Sequence, residues 1–184
     1  MFSETQSLRQ LFHKVVADCY SRYTGLRDAE LTSYVADILS DFADLDRLYG
    51  MRDEQGTPIE EVSRMLEASD PVYGTAPSFI AERTIRKHIG DYSLFHAGMY
   101  PEIFRSQDRH EGELYQEMVQ AGRSSYYVVS QFNVFEYAAE AELFERLAEN
   151  FELCVYGLNK VRCEFDRLCL RSGAELRQFE EHAI

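Results

Sequence analysis

Apolar residues recur at alternating steps of three and four over long stretches of this chain, and that spacing admits little besides helix. Between Glu136 and Arg171 the series is Leu143, Leu147, Phe151, Cys154, Leu158, Val161, Phe165 and Leu168. Its alternation approaches a heptad, the geometry of a bundle seam. Glu142, Glu145 and Glu149 come early in that stretch, whereas Lys160, Arg162, Arg167 and Arg171 come late, an order that suits the helix dipole. Gly157 sits in the middle, where it costs roughly 0.5–1 kcal/mol relative to alanine and implies close packing. Ser172-Gly173 predicts the stop, and residues 172–184 read as a polar tail.

The same spacing predicts a helix over Glu4–Arg22, with Ser3 as its N-cap and an apolar stripe of Leu8, Leu11, Phe12, Val15, Val16 and Cys19. Thr24-Gly25 ends it. A second helix is expected over Asp28–Tyr49, with Leu31, Tyr34, Val35, Ile38, Leu39, Phe42, Leu45 and Tyr49 as its seam. Thr57-Pro58-Ile59-Glu60 matches a capping box with proline at the first helical position, so a short helix should run from there to about Ala68. A further helix is predicted over Ser78–Met99. Besides its main stripe, Gly90, Ser93 and Ala97 share another side, which would let a neighbouring backbone or a flat ligand approach closely. This helix should therefore be central. After a polar connector at Ser106–His110, another helix is expected over Glu111–Phe132.

Short connections between long amphipathic helices predict an all-α fold. The expectation is one domain over residues 1–184, an antiparallel helical bundle of about five to six main helices.

The formal net charge of −13 opposes nucleic-acid phosphates and anionic lipid, so neither is expected as a partner. No stretch approaches the roughly 20 apolar residues that a membrane span requires. The first residues lack the basic-then-apolar pattern of a secretory signal. Cys19, Cys154, Cys163 and Cys169 form no Cys-x-x-Cys pair, and three of them fall too far apart on one helix to be bridged. Reduced thiols in the cytoplasm are the expectation.

Motifs for phosphate loops, dinucleotides, zinc proteases and nucleophile elbows are absent. No histidine has glutamate three residues before it, the spacing that carboxylate-bridged di-metal bundles use. The densest polar cluster comprises Glu82, Arg83, Arg86, His88, Asp91, Tyr92 and His96. On a helix His88, Tyr92 and His96 share a face with Ile85 and Ile89, and Asp91 lies one turn from His88. A carboxylate there could orient the imidazole as a base or metal ligand. His88 and His96 stand about 12 Å apart along the axis at 1.5 Å per residue, too far to share an ion unaided. The expected role of His88 is therefore structural, as a buried ring satisfied by its neighbours, and the sequence names no metal and no cofactor. Tyr92, Tyr100, Tyr115, Tyr126 and Tyr127 could line a pocket for a small apolar or aromatic ligand. The functional expectation is a non-catalytic bundle that binds a ligand or partner, with self-association through a heptad-like face. The alternative is a metal- or cofactor-dependent bundle enzyme centred on His88, Asp91 and His96.

Overall fold

The computed structural model describes residues 4–104 and 111–182, and the fold is all-α. Ser3, the 106–110 connector and the last two residues lie outside the described residues. Helix α1 spans Glu4–Cys19 and α2 spans Ala29–Asp41. Next come α3 (Leu45–Leu48), α4 (Val62–Ser69) and α5 (Phe79–Met99). The remaining helices are α6 (Glu111–Ser130), α7 (Ala138–Glu149) and α8 (Phe151–His182). The only extended pairing among the described residues is an isolated bridge between Arg52 and Pro58.

Several expected helix ends are observed, with local caps that the periodicity does not specify. Ser78 accepts the Ala81 amide at 3.1 Å and opens α5. Asp28 accepts the Leu31 amide at 3.0 Å and opens α2. The first helix ends in a π-helical turn, Tyr20–Thr24, closed by Gly25.

Four boundaries differ from expectation, and local polar side chains explain three of them. The predicted 28–49 helix stops at Phe42 and restarts as the single turn α3, because Asp44 turns its carboxylate onto the Asp46 amide at 3.0 Å. Leu45 is thereby turned outward, 67% exposed, instead of joining the seam. The expected capping box at residues 57–60 is not a helix start. Asp53 takes the Thr57 amide at 2.9 Å and the Gln55 amide at 3.0 Å, while the Ile59 amide donates to the Met51 carbonyl. Residues 51–59 thus double back as a tight ribbon, and α4 begins only at Val62. The long C-terminal segment is two helices. The Asn150 amide and its side-chain Nδ2 both donate to the Arg146 carbonyl, closing α7, and the Asn150 carbonyl accepts from Cys154 to open α8. Nothing around Ser172-Gly173 stops α8, which continues to His182.

Helix α5 is central, packed against α2, α4, α6 and α8. It runs antiparallel to α6. A Cβ on Gly90 would stand 2.4 Å from the Tyr126 ring, and one on Gly122 would stand 2.7 Å from the Ser93 Cβ. The small-residue side of α5 is therefore the α6 seam, where a neighbouring helix and not a ligand takes the space. Helix α8 lies along α5 in the same sense, with Leu158 over Gly98 and Asn159 donating to the Gly98 carbonyl. Helix α1 runs antiparallel to α8: Phe12 meets Phe165 edge-on at 5.5 Å, and Tyr20 lies on Gly157 and donates to the Cys154 carbonyl at 2.6 Å. The mid-helix glycine at 157 is the price of that close approach. Tyr20, Tyr126, Phe144, Leu147, Phe151 and Leu158 are fully buried in one core cluster. Phe165 is only half-buried at its edge, and Leu8 and Leu11 of the predicted α1 stripe are exposed. All four cysteines are free thiols.

These depths order the cost of truncation. Phe151→Ala should destabilise by about 3–5 kcal/mol, and Phe165→Ala by only about 1–2 kcal/mol, in urea unfolding. Equal losses at the two sites would show that Phe165 is as deep as Phe151. Gly90→Ala should cost about 1–3 kcal/mol, because the Tyr126 ring must move to admit a methyl group.

Candidate functional site

The polar cluster of α5 divides into two rows. Arg83, Lys87 and Asp91 follow one another at four-residue steps; His88, Tyr92 and His96 do the same, about 100° further round the helix at 3.6 residues per turn. The two rows therefore meet different neighbours.

The first row faces α2, α6 and α7. Asp91 is buried, and one carboxylate oxygen, Oδ1, accepts from the Tyr34 hydroxyl at 2.6 Å and the Tyr126 hydroxyl at 2.8 Å. Its Oδ2 accepts from Lys87 Nζ at 2.9 Å. The same ammonium lies 5.1 Å from the centre of the Tyr34 ring. Burial, followed by the negative charge of Asp91, pushes both phenols well above their ordinary range, so each stays a donor. One turn back, the buried Arg83 donates to Glu140 at 2.6 Å and stacks its guanidinium 4.1 Å from the Tyr137 ring centre. The Nε atoms of Arg83 and Arg86 are enclosed without a partner. Glu82 is half-buried and joins neither row's described contacts.

The second row faces the end of α2 and the connector that follows it. The His88 ring packs edge-on to Phe42 at 6.0 Å and lies 6.1 Å from Tyr92. Its Cε1 abuts Gly50, where a Cβ would stand 3.7 Å away, and its Nε2 is enclosed with no hydrogen-bond partner. The His88–Asp91 bond of the alternative reading does not form; Tyr34, Tyr126 and Lys87 hold the carboxylate. The His96 ring lies 4.0 Å from that of Tyr92, tilted by 33°, and donates from Nδ1 to the Tyr92 carbonyl at 2.9 Å. Burial lowers the pKa of both imidazoles and pushes the Tyr92 phenol up to about 12, with the Glu60 carboxylate adding to the latter.

The chemistry open to this arrangement is narrow. Asp91 has both oxygens engaged, and His88 and His96 flank Tyr92 from opposite sides along the helix. No group of three or more His, Cys, Asp or Glu side chains among the described residues is placed to hold a metal ion. The tyrosines predicted as a pocket lining also part company: Tyr126 is sealed in the core, while Tyr127 and Tyr100 are exposed. A cleft of about 270 Å³ lies elsewhere, between α1 and α8, floored by Leu11, Val15, Cys19 and Leu168. Tyr34, Lys87, Tyr137 and Glu140 complete these contacts and lie outside the predicted set of site residues. Tyr34 carried a signal, as a phenol within an otherwise apolar seam, a position that calls for a buried polar partner.

No protein-family model, curated protein or solved structure matches the chain.

Removing the carboxylate while leaving its donors should be costly. Asp91→Ala is expected to destabilise by roughly 3–5 kcal/mol, since it strands two phenols and an ammonium in the interior. Ultraviolet titration of the wild type should show Tyr34 and Tyr126 ionising only as the protein unfolds in alkali. Two extra phenols titrating near pH 10 in the folded protein would contradict that seal.

Proposed function

We propose that this chain is a non-catalytic helical-bundle protein that acts by binding a partner. The observation that carries this reading is the contrast between its polar interior and one end of its surface. Inside, the Asp91 network is closed upon its own residues. Outside, the loop after α4 and the first turn of α5 present Val72, Tyr73, Phe79 and Ile80, each more than half exposed, with Tyr73 at 93%. Val134 is exposed at the end of α6, which packs beside the same end of α5. Single exposed apolar residues are ordinary; four within nine positions support reading this end as an association surface.

Self-association is the first form of partnership to examine, because an isologous contact needs only one such face. The net charge of −13 opposes it weakly, since surface repulsion is screened beyond about 8 Å at physiological salt. Sedimentation at micromolar concentration is expected to show a dimer that Phe79→Asp or Ile80→Asp converts to monomer. A wild-type monomer, or a dimer indifferent to both changes, would remove this face as a self-association surface.

The second reading is a metal- or cofactor-dependent bundle enzyme centred on His88, Asp91 and His96. Its support is the enclosed, unpartnered Nε2 of His88, a free imidazole nitrogen. It carries less weight because Asp91 is fully engaged by protein donors. Stoichiometric metal in freshly purified protein that disappears in His88→Gln would favour it over the binding reading.

A further inference from the structure

Residues 42–61 form a connector between α2 and α4 that is held to the bundle at a few points. Phe42 packs edge-on to Phe95 of α5 at 5.3 Å, Leu48 and Ile59 are buried, and Tyr49 and Met51 are half-buried against the core. Asp44, Asp46, Arg47, Arg52 and Glu54 of the same segment face water. Its one helix, α3, is a single turn, so backbone cooperativity adds little to its hold. His88 lies beside this connector: its ring is 6.0 Å from that of Phe42, its Cε1 is 3.7 Å from where a Cβ on Gly50 would stand, and its Nε2 is enclosed without a partner.

We propose that the contact between α5 and the 42–61 connector is an acid-sensitive latch, held shut while His88 is neutral. With its proton on Nδ1, a neutral imidazole leaves only a bare Nε2 lone pair at that position. Protonation turns the same atom into a charged donor with no acceptor beside it, and water can reach it only if the connector lifts. The surrounding charges do not rescue the cation. On α5, Asp91 attracts it, but both its oxygens are bound on the neighbouring row; Lys87 and His96 repel it. From the connector, the Glu60 carboxylate acts on His96 and Tyr92, and the Tyr49 phenol acts on Tyr92. Glu60 can therefore answer a charge on His96, whereas His88 has only Asp91, already occupied. His88 is the trigger and His96 is not.

The direction in pH follows. A histidine whose folded form resists protonation contributes its full share of stability above its ordinary value of about 6.5. That contribution is lost as pH falls below it, and here the loss is concentrated in the connector. Opening uncovers the aromatic row of Tyr92, Phe95 and His96 on α5.

Hydrogen–deuterium exchange of the full chain at about pH 7.5 and about pH 5, corrected for intrinsic rates, tests this. Amides of residues 43–61 should exchange several-fold faster at the lower pH, with α5, α6 and α8 unchanged. His88→Phe should abolish the difference, and His96→Phe should keep it. No selective acceleration in the wild type, or acceleration that survives in His88→Phe, overturns the proposal. Should His88→Phe fail to fold, the His88 Cε1 proton of the wild type decides by magnetic resonance. Titration below the ordinary histidine value supports the latch, and titration at or above that value overturns it.

Discussion

A carboxylate in the interior of a helical bundle is a demand upon every helix around it. Leaving Asp91 without donors would cost several kcal/mol. The fold answers with a phenol from α2, a phenol from α6 and an ammonium from its own helix. Charge-assisted bonds of this kind are directional, so they restrict how the three helices sit as well as holding them together. Tyr126 can reach Asp91 only by laying its ring across the preceding residue, and that residue is Gly90. The close α5–α6 approach and the buried charge are one arrangement seen from two sides. Arg83, two row positions before Asp91, extends it to α7 through Glu140 and Tyr137.

Commitment of Asp91 to one row of α5 determines what the other row lacks. His88 is one turn from a carboxylate and receives no bond from it, since that carboxylate is already saturated by stronger or better-placed donors. The imidazole row is consequently held by ring packing, with the His96–Tyr92 carbonyl bond as its one described hydrogen bond. One helix thus carries a polar row whose carboxylate is fully bonded and an aromatic row whose charge state is left open.

Much of the architecture was legible in the sequence because helical periodicity is a local property. The extent of α5, the end of the first helix at Gly25, and the close approaches at Gly90 and Gly157 all follow from residues a few positions apart. Three of the failures share a different cause. Asp44, Asp53 and Asn150 each bond a nearby backbone group and so interrupt a pattern that apolar spacing alone would continue. The polar cluster was legible as a cluster but not as a set of bonds. Asp91 could have turned to His88 three residues away; its actual partner Tyr34 lies 57 residues earlier, and Arg83 finds Glu140 57 residues later. Nothing in a local pattern ranks those choices, because the ranking is made by which helices pack together.

The tyrosine rings seated on glycines have a mechanical meaning. Tyr126 over Gly90 and Tyr20 over Gly157 each act as a peg in a notch one residue wide. Sliding either helix pair by a turn would drive the ring into a full side chain, so shear between α5 and α6, or between α1 and α8, is blocked. Proteins change shape by shear or by hinge. With its long helices pinned in register at both seams, this bundle retains only hinges, located in the segments that no peg secures.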